Sequence, residues 1–540
     1  MNLFRYWILF LPLFASRLVV GQPSWPTDLL TVPEKTEFLK TSTHNDVIKF
    51  LDHLQSRSKE IQVFSMGQSQ EGKEIPIAVL SRPAVNTAAE AKASEKLVIY
   101  IQGNIHAGEV EGKEATLMLM REILFGDKRN LLDNQIILFA PIYNTDSNDK
   151  MEAGRRPSQE DSPLEVGLRE NSAGLDLNRD GTKMEALETQ GLFSHVISQW
   201  DPQVFVDLHT TNGTWHAYSL TWAPAYHTAG DSSTYNYTVE MLQSITATAK
   251  ARYGLEFGPY GEYRLEEGWP PKNFYTYNHH PRYLVNNFGL RNRMAILSEA
   301  FSHERFYQRI NSTYHFVNEI LSYTNTHSDE ILALNKKAAE TIIRNITEHA
   351  GNIRKGVRFQ MFSKETLSDF KTYDYIKSEN DAGGIEWIRT GKVVSYNNVK
   401  YHGAFRATVE ATMPRGYVIP AQFSQIVELL KKHGVIVDQL TKPKVFTGEL
   451  FRIDSLERSQ RKFEGHFMSI MTGKFTPTKR KFKNGDYVID LAQPLANLIF
   501  YLLEPQSDDG FVNWNFFDLY LKSQGVNNEP VDYPVFKYIK

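Results

Sequence analysis

Along this chain the spacing of apolar positions changes from one region to the next, and those changes predict its elements. In HNDVIKFLDHLQSRS the apolar residues recur at helical spacing, and EIQVFSMGQSQEGKEIPIAVLS reads as two strands joined by a glycine-containing turn. Four short apolar runs follow, LVIYIQG, QIILFAPIYN, VFVDLHT and RMAILSEA, each bounded by polar loops. With helical stretches between several of them, they predict an α/β fold around a largely parallel buried sheet. After Phe306 the pattern is helical to about Gly351, and Ser328 or Asp329 is the expected cap of DEILALNKKAAETIIRNITEHAG. From about Arg358 short alternating runs such as KVVSYNNVKYHGAFRATVEAT and KVFTGELFRID predict β structure. One amphipathic helix, AQFSQIVELLKKHG, interrupts them and ends at Gly434. The apolar run in LANLIFYLLEPQSDDGFVNWNFF is too short to span a bilayer, and its aromatics are expected in a core.

Length supports this division, because 540 residues exceed the size at which one core stops growing. The expected organisation is a signal peptide over 1–21, an α/β domain over 37–325, a helical linker over 326–355 and a smaller β-rich α+β domain over 356–540. The signal is read from MNLFRYWILFLPLFASRLVVGQPSW, with one early arginine, an apolar core from Trp7 to Ala15 and small residues near Gly21. No later stretch is long enough to span a membrane. A net charge of −3 gives no general attraction to nucleic acid or to an anionic membrane, and the basic run KRKFKNG, from Lys479 to Gly485, reads as a solvated hairpin. Cysteine is absent, so the exported chain holds no disulfide and no lipid-bearing thiol, which points to a bacterial periplasm or to secretion. Asn-x-Ser/Thr sites occur at Asn212, Asn236, Asn311 and Asn345. The stretch between the signal and the first helix is too short for a folded pro-domain.

The candidate chemistry lies where apolar runs end. His106 and Glu109 follow LVIYIQG and open a helical stretch, and His209 closes VFVDLHT, so two strand ends offer three metal ligands to one point. Three protein ligands leave one zinc position open for water. A second His-x-x-Glu pair, His327 and Glu330, has no strand before it and reads as a solvated helix start. Between Glu109 and His209 runs GLRENSAGLDLNRDGTKME.

HAGE, then R-x-N-x-x-G-x-DLNR, then a strand-borne histidine, then ILSEAF resembles the zinc carboxypeptidase family, in order through roughly residues 40 to 320. The resemblance implies a mixed sheet with helices on both faces and one bound zinc. It also implies that His106, Glu109 and His209 are the zinc ligands and Glu299 the general base. Asn178 and Arg179 match the pair that holds a substrate's terminal carboxylate, and Arg169 matches the arginine that steadies the oxyanion. A tyrosine on a closing loop is also implied; Tyr275, Tyr277 and Tyr283 compete, and spacing favours Tyr277. Asp207 is a candidate to orient a ligand from behind. Arg282, Arg291 and Arg293 are either readers of an acidic side chain or structural. The implied activity is hydrolysis of the C-terminal amide bond of a peptide. The alternatives are a zinc deacylase of N-acyl amino acids and an inactive peptide-binding relative.

Overall fold

Strands Gln135–Ala140, Leu97–Gly103, Val204–Thr210 and Met294–Ala300 lie side by side and parallel at the centre of an eight-stranded sheet. The computed structural model that gives this arrangement describes residues 25–159, 161–226, 229–379 and 385–539, and the expected signal peptide lies outside them. Glu74–Leu80 and Ile61–Gln68 extend one edge antiparallel. Leu220–Pro224 extends the other edge antiparallel, and Phe257–Pro259 pairs parallel to it. Every residue of the four central strands is buried, which is why they read as continuous apolar runs and not as alternating ones.

Alternate side chains of these strands enter two cores. Ile99, Ile101, Val206 and Ile296 face one of them, covered by helices His44–Arg57, Glu111–Phe125, Ser232–Tyr253 and Phe306–Thr326. The first of these helices forms as its pattern predicts. Val47, Phe50, Leu51 and Leu54 are buried on one face, and Thr43 and Asp46 close a capping box at its start. Tyr100, Phe205 and Leu297 face the second core, with the short helix Leu284–Leu290. The sheet is mixed with helices on both faces, as expected.

The helical region after Phe306 divides at His327. Here the structure departs from the expected cap: His327 occupies the cap position and Ser328 is already helical, with no side-chain cap bond. The ring stacks on Tyr323 at 4.0 Å and its Nδ1 meets the Tyr323 carbonyl at 2.8 Å, which fixes the turn locally. Ile331 of helix Ser328–His349 enters the first core and Ile342 and Ile346 the second, so this helix is packed along its length.

The C-terminal region is β-rich. Ile353–Phe362 pairs with Ala404–Met413, Phe370–Glu379 with Ile385–Tyr396, and a seven-stranded sheet is built around the long pair Lys444–Arg458 and Ser469–Phe482. Helix Ser424–Lys432 stops before Gly434, whose φ of +86° suits a glycine after a helix end. The basic run is not a hairpin: its turn joins Ser469–Phe482 to Tyr487–Asp490, and these pair with other strands. Among the described residues no helix is long and apolar enough to cross a membrane.

The second core is not confined to the first region. Leu284, Val285, Phe288 and Leu290 share one apolar cluster with Leu498, Ile499, Leu502 and Phe511 from the buried helix Ala496–Leu503 and the turn after it. Strand Asn273–Tyr275 also pairs in parallel with Val399–His402. The expected tryptophan and phenylalanines of the late stretch follow suit: Trp514 is 0% exposed, and Phe511 and Phe517 are buried. Leu498→Ala should therefore destabilise the chain by about 2–5 kcal/mol and lower one shared calorimetric transition. Two transitions, only one of them moved, would show that the cores are independent.

Candidate active site

The register of the parallel strands sets the site. Glu299 lies opposite His209, and Gln102 opposite Asp207, so chemistry borne at the carboxyl ends of adjacent strands meets on one edge. His106 and Glu109 come from the loop between Leu97–Gly103 and Glu111–Phe125, where Asn104 takes a φ of +63° and its Nδ2 holds the carbonyl of Ala107 at 3.2 Å. The loop is tight because the strand end and the helix start nearly touch; a Cβ on Gly103 would lie 2.8 Å from the Gly112 carbonyl carbon.

The donor atoms of His106, Glu109 and His209 converge, all buried. His106 Nδ1 lies 3.1 Å from Glu109 Oε1, His209 Nδ1 lies 3.0 Å from Glu109 Oε2, and the two Nδ1 atoms are 3.2 Å apart. Donors around a tetrahedral zinc with bonds of 2.0–2.1 Å are separated by about 3.3 Å, so the trio fits that ion in spacing as well as in kind. Each imidazole has a carboxylate behind it. Asp176 Oδ1 faces His106 Nε2 at 3.1 Å, and Asp207 Oδ2 faces His209 Nε2 at 3.0 Å. A proton held at Nε2 leaves the Nδ1 lone pair turned to the shared point. Asp207 is itself fixed by Gln102, which donates to it at 2.9 Å and accepts from Tyr100 at 2.9 Å.

Asp176 and Arg156, which contact the ligand candidates directly, were not assigned from the sequence. Asp176 was legible as the first residue of DLNR, yet its role appears only with the fold. Arg156 gave no signal beyond the glycine that admits it: a Cβ on Gly108 would lie 2.7 Å from its Cγ. Its Nη1 donates to Glu109 Oε1 at 2.8 Å, and its Nη2 donates to the carbonyls of Thr210 and Thr211 at 3.1 and 3.2 Å. Burial opposes the charge on Glu109, but His106 and Arg156 hold its carboxyl well below the usual carboxylate range.

Arg169 and Asn178 close around the same point. Arg169 Nε donates to Asp176 Oδ2 at 3.0 Å, and its Nη1 lies 3.3 Å from His106 Nδ1. Asn178 Nδ2 lies 3.4 Å from His209 Nε2, while its Oδ1 accepts from the Leu284 amide at 3.1 Å. Arg179 donates to the Asn178 carbonyl at 2.9 Å and lies 4.6 Å from the centre of the Tyr283 ring. Glu299 is 7% exposed and its Oε2 has no hydrogen-bond partner among the described residues. Burial pushes its carboxyl up, to about 8, against the pull of His209.

These groups line a cavity of about 480 Å³ whose other walls include Tyr260, Val285 and Leu297. Tyr275, Tyr277 and Tyr283 all line it too. The Tyr277 hydroxyl donates to Asn286 Oδ1 at 3.1 Å, and that of Tyr275 to Glu267 at 3.0 Å. The three arginines considered as side-chain readers do not line the cavity: Arg282 binds Asp509, Arg291 the His433 carbonyl, and Arg293 Asp201. His279, His280 and Asp508 form another group with metal-ligand chemistry. There the carboxylate already accepts from the Phe359 amide and the Tyr501 hydroxyl, and His279 Nε2 faces it at 3.3 Å, the arrangement of an ion pair.

Residues 47–256 match the family model described as zinc carboxypeptidase. Over 497 residues the chain is 22% identical to Carboxypeptidase 2 of Trichophyton tonsurans, covering 87% of this chain and 81% of that protein. Carboxypeptidase 2 of Trichophyton rubrum is 22% identical over 493 residues, with the same coverage. A crystal structure of a metallo-carboxypeptidase from Burkholderia cenocepacia aligns with a TM-score of 0.40 at 15% identity, over 54% of this chain and 71% of that one. The similarity to zinc carboxypeptidases thus rests on the segment 47–256, and the curated proteins that match over most of the chain are named carboxypeptidases. If Asp176 orients His106, Asp176→Asn should weaken zinc binding by about 10- to 100-fold with the fold intact, as read by equilibrium dialysis and circular dichroism. An unchanged affinity would remove that role.

Proposed function

We propose that the chain removes single residues from the C-termini of peptides, with one zinc ion held by His106, Glu109 and His209. The observation that carries the proposal is the buried Glu299 carboxyl, one strand over from His209, whose Oε2 has no hydrogen-bond partner among the described residues, beside donors at tetrahedral spacing. Bound zinc would lower the pKa of its water to about 7 and polarise the scissile carbonyl.

The remaining work falls to the chain's own side chains. Glu299, with its carboxyl raised toward neutrality by burial, is suited to take a proton from the attacking water and to give it to the departing amine. Arg169, which carries its charge beside the ligand cluster, is the group to face negative charge on the carbonyl oxygen. Arg179 offers a planar fork to the terminal carboxylate, with Asn178 beside it. The contact of Arg179 with the Tyr283 ring restricts the side chain, so less freedom is lost on binding. Tyr277, which lines the cavity and packs edge-on against Tyr283, is the tyrosine we assign to closure over the bound residue. The signal peptide read from the sequence makes peptides outside the cytoplasm the accessible substrates.

Mass spectrometry of a mixed peptide library, incubated with zinc-loaded protein, tests this reading. Loss of one C-terminal residue is expected, with peptides of amidated C-terminus left intact. Glu299→Gln should lower kcat by about 100- to 10,000-fold with zinc content unchanged. Intact peptides in the presence of one bound zinc would overturn the reading, and hydrolysis of N-acyl amino acids in the same sample would favour a deacylase.

A further inference from the structure

The C-terminal region reaches the residues proposed to hold the substrate carboxylate, and it does so from two sides. On one side the segment 281–284 is joined to the segment 178–181. The Gly181 amide donates to the Arg282 carbonyl at 2.9 Å, and the Leu284 amide donates to Asn178 Oδ1 at 3.1 Å. Tyr283, between them, lies against the Arg179 guanidinium. The approach is close enough to require a glycine, since a Cβ on Gly181 would lie 2.6 Å from the Pro281 carbonyl oxygen.

Behind that segment stands Asp509, in the turn after the buried helix Ala496–Leu503. It is 0% exposed, and its carboxylate accepts from the Arg282 amide at 2.8 Å, from Arg282 Nε at 2.7 Å and from the Trp514 indole at 2.9 Å. Arg282 Nη2 adds an ion contact at 2.6 Å. The guanidinium also lies 4.8 Å from the Trp514 ring centre and 5.1 Å from that of Phe463, so its position is fixed by rings as well as by charge. On the other side Phe463 belongs to the tip of the long pair Lys444–Arg458 and Ser469–Phe482. The next residue at that tip, Glu464, accepts from the Asp176 amide at 3.2 Å.

Resting on the function proposed above, we infer that Asp509 is a positioning residue for recognition of the substrate's terminal carboxylate, acting through Arg282 on Tyr283, Asn178 and Arg179. The C-terminal region is then part of the active site. A buried carboxylate with this many donors would hold Arg282 in one place whatever its purpose. What points to the substrate is that the held segment ends on Asn178 Oδ1 and on the face of Arg179, and that the second arm binds the start of the same DLNR run.

The test measures binding of a peptide acid and of its C-terminal amide to the full zinc-loaded chain in a Glu299→Gln background, which prevents turnover. The parent should prefer the acid by about 10- to 100-fold. Failure of the parent to distinguish them would overturn the function proposed above, and with it this inference. Given a parent that does distinguish them, Asp509→Asn should lose about tenfold or more in affinity for the acid, keep its affinity for the amide and keep its zinc. Equal loss for acid and amide, or no loss for either, would overturn the role of Asp509. If Asp509→Asn does not melt cooperatively, Phe463→Ala, at a partly exposed tip, removes one ring from Arg282 and reads the same difference. A loss confined to the acid supports the inference, and equal loss or none overturns it.

Discussion

Burial of charge at the carboxyl ends of the parallel strands is the constraint on which the rest of this structure depends. Glu109, Asp176, Asp207 and Glu299 lie together with His106, His209 and the arginines 156, 169 and 179, and all of the carboxylates are buried. Ionised groups taken out of water are tolerated when each finds an opposite charge or a donor. Here Arg156 and the Thr210 amide serve Glu109, Arg169 serves Asp176, and Gln102 serves Asp207. Glu299 is the exception, with no hydrogen bond to its Oε2 among the described residues, and a buried acid with an unsatisfied oxygen is the kind of group that proton-transfer chemistry uses.

Such a cluster needs walls that do not move, and the fold supplies them from more than one part of the chain. The short helix Leu284–Leu290 packs between the central sheet and the helix Ala496–Leu503 in a single apolar cluster. The segment just before it carries the aromatic wall of the cavity. Strand Asn273–Tyr275 is likewise paired with Val399–His402. The substrate-facing wall is therefore held on its far side by residues more than a hundred positions later in the chain. Packing of this kind is specific because a buried cluster fixes positions to well under a side chain's width.

The glycines at the site follow from the same crowding. Gly103, Gly108 and Gly181 all have ordinary backbone angles, and their need is space: neighbouring backbone or the Arg156 side chain occupies the volume a Cβ would take. Of these three glycines only Gly108, in HAGE, stands inside a ligand motif, and nothing in the motif says that an arginine from a distant loop fills the gap beside it. Asp176 is the converse case. It stands in plain view in DLNR, but which imidazole it supports is a fact of how that loop returns to the strand ends.

Local physics was sufficient for much of this. The continuous apolar runs announced central strands because strands buried on both faces have no polar side to alternate with. The spacing of Val47, Phe50, Leu51 and Leu54 announced a helix packed on one face. Ligand and base candidates were legible at apolar run ends and the carboxylate-binding pair in the DLNR run between them, and strand register together with the connecting loops brings them to one edge. The cap at His327, the turn in the basic run, Arg156 and the grip of Asp509 on Arg282 were not legible. Each depends on a partner that is close only after folding: a ring one turn back, strands that pair elsewhere, a carboxylate across the site, a turn some 227 residues away. The sequence by itself determined the element types and the chemistry on offer, since periodicity and side-chain type are local properties. Tertiary structure alone decided which charges compensate one another and that the C-terminal region supports the site, because burial and electrostatic pairing are properties of distance in space.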